Sequence, residues 1–250
     1  MRLLGNCRQI AAKGEVFHPR PQPDLTARET NMLRKAAGYD LATKADLVAW
    51  RRQHPRLTLE FMFKEFGGRP IAFKLFPGHL TRRRIAAELL TDPSFGCVIL
   101  RRRPIDCFIS ERKAREVGSY AGVETTDILP TLRPTEFLSW AKSARRWYGW
   151  LARKTAGRTS RCAYLSFENH LYGQSNQAAL ANILESMESI GLAAQPLPSR
   201  PQGHIMQDSR TDYRARVANW DEFAAALRPD HADTLAWAET APDANLALDS

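Results

Sequence analysis

Apolar residues along this chain follow two rhythms. Three short runs are apolar almost throughout: Ile71–Leu75 (IAFKL), Cys97–Leu100 (CVIL) and Cys162–Ser166 (CAYLS), each bounded by turn residues or charge. Unbroken apolar character over four or five residues marks strands of a parallel sheet buried on both faces. Between these runs the period lengthens. From Asn176 to Ile190, residues Leu180, Ile183, Leu184, Met187 and Ile190 recur at spacings of three and four, the stripe of an amphipathic helix. Ser139 to Arg153 repeats the pattern with Trp140, Ala144, Trp147 and Leu151, whose aromatics read as core packing. Strands alternating with helices predict βαβ units with right-handed crossovers, hence an α/β fold with a three-layer parallel β-sheet flanked by helices.

Sheets of this kind bind ligands at the carboxyl ends of their strands, which directs attention to the residues after 75, 100 and 166. After Leu100 the chain reads Arg101-Arg102-Arg103-Pro104 and enters an apolar-periodic segment that carries Ser110. Proline suits a first helical turn, so the arginines sit at a strand–helix corner beside the positive end of a helix dipole. Guanidinium forks and free backbone N–H groups together make an anion site. The plain alternative is a solvated basic turn.

Composition sharpens this. The 250 residues carry 36 Lys+Arg against 27 Asp+Glu, a net charge of +9, and 44% are hydrophobic, enough for a substantial core. Of the basic residues 28 are Arg, the residue whose planar fork grips phosphate, sulfate or carboxylate. The charge is uneven: residues 145–161 hold six basic residues and no acid, and 229–250 hold five acids and no Lys or Arg. No apolar run reaches the length of a membrane span, and the first residues show no secretory signal. A cytoplasmic globular protein is expected, with one α/β domain over 1–228 and an acidic tail or terminal helix over 229–250. Cys7, Cys97, Cys107 and Cys162 form no CxxC pair, which points to inert thiols, with no zinc site or disulfide framework. No helix-turn-helix, zinc-finger or RNA-recognition pattern accompanies the charge, so a nucleic-acid partner is not expected.

The segment from Arg102 to Ser110, an Arg and a Ser eight residues apart across a strand–Arg-x-Pro-x-Asp–helix junction, resembles the 3′-phosphate-binding segment of sulfotransferases that use phosphoadenosine phosphosulfate (PAPS). Other stretches fall in that family's order. Lys13-Gly14-Glu15-Val16-Phe17-His18-Pro19 is similar to the Gly-Glu-(Val/Ile)-Phe-x-Pro stretch of bacterial members. Ala72-Phe73-Lys74-Leu75 followed by His79 resembles the central strand and its loop, and Tyr164–Glu168 a Tyr-Glu-x-Leu strand end with Phe167 before the acid. Val217–Phe223 resembles an Asn-(Tyr/Trp)-Asp-Glu segment, so the likeness spans roughly residues 10–228.

The resemblance implies a P-loop nucleotide-hydrolase-like fold and sulfuryl transfer from PAPS to a hydroxyl of a carbohydrate, lipid or small metabolite, with no metal required. It gives Arg102 and Ser110 to the 3′-phosphate. Arg101, Arg210 and Arg214 are further candidates for the nucleotide, Arg210 and Arg214 lying between the Pro196–Pro201 stretch and Asn219. It makes Glu15 the first candidate base and His79 the second, and lets Lys74 stabilise the leaving oxygen. The family's Arg-Ser-Gly-(Ser/Thr)-Thr loop for the 5′-phosphosulfate does not occur in this chain. Leu3, Leu4, Cys7, Ile10 and Ala11 sit at helical spacing and predict the tail of a first helix, with loop and strand lying before Met1, so the fold is expected to be N-terminally incomplete. The alternative function is a non-catalytic or truncated relative that keeps only nucleotide or anion binding.

Overall fold

The apolar runs at 97–100 and 162–166 are strands in the computed structural model, which describes residues 3–20, 25–38, 43–118, 124–157, 161–196 and 210–242. The chain forms two compact units. The first comprises residues 1–97, 157–163 and 175–203, the second residues 98–156, 164–174 and 204–250. The coarse class is α/β, with two small parallel sheets and about 55% helix.

In the first unit, β1 (Ala11–Ala12) pairs in parallel with β2 (Ile71–Ala72), Ala11 opposite Ile71. Backbone bonds carry the pairing past the strand ends: Lys13 N–H donates to Ala72 O (2.7 Å) and Lys74 N–H to Gly14 O (2.9 Å). The first residues therefore differ from the expected helix tail. They form one 3₁₀ turn, Leu4–Asn6, then an extended segment. So short a segment is a marginal helix by itself, and the backbone of β2 offers its N–H and C=O groups a ladder instead. Helices α1 (Ala27–Ala36) and α2 (Lys44–Gln53) each begin with a capping box, Thr26/Glu29 and Thr43/Asp46. Leu33, Leu47 and Trp50 pack between them. α3 (Pro55–Glu65) starts on a proline, and α4 (Arg82–Arg84) widens into a π-helical stretch, Ile85–Leu90. α8 (Asn176–Glu188) ends two residues short of the predicted limit.

The second unit is built around α5 (Pro104–Val117), α6 (Pro134–Thr155) and α9 (Trp220–Glu239). Ile105, Phe108 and Ile109 of α5 meet Phe137 and Ala141 of α6 and Trp220, Phe223 and Leu227 of α9 in one buried cluster. The expected break at 228 falls inside α9, which continues across Pro229 with a kink at His231 and buries Leu235 and Ala238 in the same core. The acidic tail from 243 onward lies outside the described residues, as do Pro198 and Pro201. β3 (Cys97–Arg101) pairs with β4 (Cys162–Ser166), and the chain passes from one unit to the other within both strands. α7 (Phe167–His170) follows β4 directly. Cys7 and Cys162 are buried, Cys97 and Cys107 half-buried, and all four are free thiols. No described helix is long and apolar enough to cross a membrane.

One ion pair lies inside this core. Arg216, 4% exposed, bonds the carboxylate of Asp106, 6% exposed, in the first turn of α5. Asp106→Ala would leave a buried guanidinium without its counter-charge and is expected to cost about 3–5 kcal/mol, read as a lowered urea midpoint. Breaking the exposed Arg214–Asp221 pair (2.8 Å) by Asp221→Ala is expected to cost no more than about 1 kcal/mol.

Candidate functional site

Glu15 and His79, the two rival bases, lie side by side in the first unit. Val16 and Phe17 are fully buried, and a turn closed by His18 N–H on Glu15 O (2.9 Å) sets Glu15 and His18 at its two ends. Arg51, itself buried, holds the turn from behind by donating to Val16 O (2.7 Å), and burial lowers its pKa to about 10. The loop after β2 is pinned by Arg52, which donates to His79 O (2.7 Å) and Gly78 O (3.0 Å). Gly78 turns that loop with φ +87°, a conformation that favours glycine. The result brings His79 Nε2 to 3.5 Å and His18 Nε2 to 4.0 Å from the same Glu15 oxygen, Oε2.

The ring nitrogens on the far side fix the proton positions. His79 Nδ1 accepts from Phe76 N–H (3.3 Å) and His18 Nδ1 from Arg20 N–H (3.1 Å). In the neutral rings the proton therefore sits on Nε2, facing the carboxylate. Ligand atoms of Glu15, His18 and His79 all lie within 4.8 Å of one another, the spacing of a metal site. A metal-bound histidine, however, uses its other ring nitrogen as a donor. Here both are acceptors, so the set is arranged as imidazole N–H groups around a carboxylate and does not suit a cation. His79 is 4% exposed, and burial, with His18 and Arg52 nearby, pushes its pKa down to about 4. It is neutral at pH 7. Glu15, with its side chain 30% exposed, is open to a ligand where His79 is not.

The corner after β3 belongs to the second unit, and it sorts its three arginines. Arg101 lays its guanidinium 5.4 Å from the centre of the Tyr148 ring, and burial lowers its pKa. Arg103 pairs with Asp106 (3.5 Å) and meets Tyr213 Oη (3.4 Å), while its backbone N–H donates to Glu168 Oε1 (2.8 Å). Pro104, with no N–H, follows. At the helix start expected to receive an anion, one backbone N–H is thus taken by Glu168, and the Arg103 guanidinium by Asp106. Arg102 differs. Its Nη1 donates to Ser110 Oγ (3.3 Å), its plane lies 4.8 Å from the centre of the Phe167 ring, and no carboxylate among the described residues pairs with it. Its Nε is buried without a hydrogen-bond partner, as is that of Arg103. Since Arg102 supplies the hydrogen in its bond to Ser110, the serine hydroxyl keeps its own hydrogen to donate.

Of the other predicted residues, Lys74 is exposed, with its backbone bonded to Gly14. Arg210 donates to the Thr126 carbonyl. Arg214 is held on the surface by both oxygens of Asp221. Arg216, two residues beyond Arg214, is the buried partner of Asp106. Asn219, within the Asn-Trp-Asp-Glu stretch, clamps the Leu132 backbone from both sides (2.9 and 3.0 Å). Sequence reasoning gave no role to His18, Arg51, Arg52, Phe167 or Glu168. His18 and Glu168 stand in quoted motifs, but the two arginines carry no local signal, because their acceptors are carbonyls 26 to 35 residues away.

Comparison with known proteins yields no relative: no family model, no curated protein and no solved structure matches the chain.

The His79 environment sets a pH dependence. Its folded pKa of about 4 lies below its ordinary value of 6.5, so between those pH values the unfolded chain binds a proton that the folded one does not. Stability is expected to fall as pH drops from about 6.5 toward 4. Urea unfolding at pH 7.0 and 4.5 should show the loss, and His79→Gln should flatten it.

Proposed function

We propose that this chain binds the 3′-phosphate of a phosphoadenosine nucleotide through Arg102 and Ser110 and serves sulfuryl transfer from PAPS to a hydroxyl acceptor. What supports the reading is the corner itself: an arginine that pairs with no carboxylate among the described residues, and a serine hydroxyl 3.3 Å from its guanidinium. A phosphate monoester accepts from both and replaces the missing acceptor with a doubly charged one. The fold that goes with this reading is a three-layer parallel sheet of the P-loop nucleotide-hydrolase-like class.

In the reaction the acceptor oxygen attacks sulfur as the bond from sulfur to the bridging phosphate oxygen breaks in line. The acceptor hydroxyl gives its proton to a base, and adenosine 3′,5′-bisphosphate leaves. Such a displacement asks of the protein positioning, charge neutralisation and proton removal. Burial favours Glu15 over His79 as the base. The His79 Nε2–H, held by the Phe76 bond at Nδ1, orients the carboxylate and stays neutral, so it does not cancel the charge that takes up the proton. Lys74, exposed at the end of the β1–β2 ladder, neutralises the leaving oxygen.

Calorimetry with adenosine 3′,5′-bisphosphate and adenosine 5′-monophosphate tests the corner. The bisphosphate should bind more tightly, and Arg102→Ala should erase the difference, a loss of about tenfold or more, as for a charged hydrogen bond. Ser110→Ala should lose severalfold, and Arg214→Ala nothing. Equal binding of both nucleotides by the unaltered chain would refute the assignment. Glu15→Gln should abolish sulfate transfer from labelled PAPS while leaving bisphosphate affinity unchanged; binding with no turnover in the unaltered chain would favour a nucleotide-binding role alone.

A further inference from the structure

The exposed face of α6 carries a cationic stripe for which the nucleotide reading has no use. Lys142, Arg145, Arg146 and Arg153 recur at spacings of three, four and seven, one side of a straight helix, with Lys154 beside them in the last turn. All five are exposed. Several arginines elsewhere are neutralised by acids: Arg56 with Glu60 and Asp92, Arg84 with Glu88, Arg112 with Glu136, Arg214 with Asp221. Among the described residues no carboxylate pairs with any of the five on α6. Arg145 bonds the backbone carbonyl of Asp233 (3.3 Å), not its carboxylate.

The stripe works against the helix that bears it. Arg153 and Lys154 suit the negative end of the helix dipole, but Lys142, Arg145 and Arg146 lie mid-helix, where like charges three and four apart repel. Gly149 sits at the centre of the stripe, and a glycine inside a helix weakens it. A Cβ there would stand 3.5 Å from Arg153 Nη1, so the glycine leaves a notch along the line of cations. Half-buried tryptophans flank that line: Trp237, under the Arg145 guanidinium at 4.5 Å, and Trp150, 5.4 Å from Trp147.

We propose that this face docks on an acidic phospholipid surface. From Lys142 to Arg153 the helix runs about 17 Å without a break, and a plane meets every cation of a straight rod, whereas a duplex curves away after two or three phosphates. Cations attract the headgroup phosphates and carry the affinity, the notch admits a phosphate close to the helix backbone, and flanking indoles take the headgroup level as interfacial tryptophans do. No large aliphatic or phenylalanine side chain of α6 is exposed, so the binding is electrostatic and falls with salt.

Sedimentation of the full chain with vesicles of phosphatidylcholine alone, and with 30 mol% phosphatidylglycerol, reads this directly. Binding to the acidic vesicles only, weakened by raising salt from 50 to 300 mM, is expected. Arg146→Glu/Arg153→Glu should weaken it at least tenfold, with unchanged circular dichroism and urea midpoint. Arg82→Glu/Arg83→Glu, the same charge change on α4, should not. Binding to neutral vesicles, equal loss with the α4 variant, or tighter binding to a 30-base-pair DNA duplex at the same salt would each overturn the proposal.

Discussion

Two carboxylates, Asp106 and Glu168, govern what the corner after β3 can hold. A helix start beside three arginines is a general anion trap, and left to itself it would bind any phosphate or sulfate at its backbone N–H groups. The chain engages part of that trap from within. Glu168 takes the Arg103 N–H, Pro104 removes another donor, and Asp106 engages Arg103 and the buried Arg216. Beside them stands the Arg102–Ser110 pair, which joins the residue before the corner to the second turn of α5 and involves no carboxylate among the described residues. Asp106 also ties α5 to the segment before α9. Folding of the second unit and shape of the corner therefore share a residue.

At Glu15 the controlling feature lies on the side of each ring away from the carboxylate. A backbone N–H at Nδ1 is a small contact, yet it decides that Nε2 carries the hydrogen and that the imidazole donates. Had those positions been carbonyls, the same three side chains at the same distances would read as metal ligands. Composition and spacing alone do not separate the two outcomes. Burial then divides the labour between the neighbours: the ring that is sealed in stays neutral and positions, and the carboxylate that reaches solvent is the one that can take a proton.

The parts of this structure that the sequence foretells are those set by neighbours along the chain. The strands at 97–101 and 162–166, and the helices from Pro104 and through Trp147, follow from apolar period, proline placement and turn residues. Residues 3–11 mislead because their helical spacing gives way to a 3₁₀ turn at Leu4–Asn6 and to the ladder that residues 70–74 offer from Ala11 onward. The arginines after β3 are alike in sequence. Besides Asp106, it is Glu168, 65 residues on, and Tyr213, 110 residues on, that tell Arg103 from Arg102. The Glu15–His79 pairing was visible as two candidates but not as one arrangement, since the loop that unites them is held by Arg52 through backbone carbonyls, which leave no pattern in side-chain type.

An arginine-rich chain invites a reading from its total charge, and the total is the least informative quantity here. Most arginines are spent on internal acceptors: carbonyls for Arg51, Arg52 and Arg210, carboxylates for Arg56, Arg84, Arg112, Arg214 and Arg216. A paired guanidinium is part of the scaffold whatever its exposure, because binding a ligand would first break its existing bonds. Among the described cations that pair with no acid, two groups differ in character. Arg102 is single, partly buried and backed by a hydroxyl, which suits one compact, multiply charged group. The α6 stripe is exposed and repeated along a line, which suits an extended field of single charges. Arrangement, not number, separates a ligand site from a docking face.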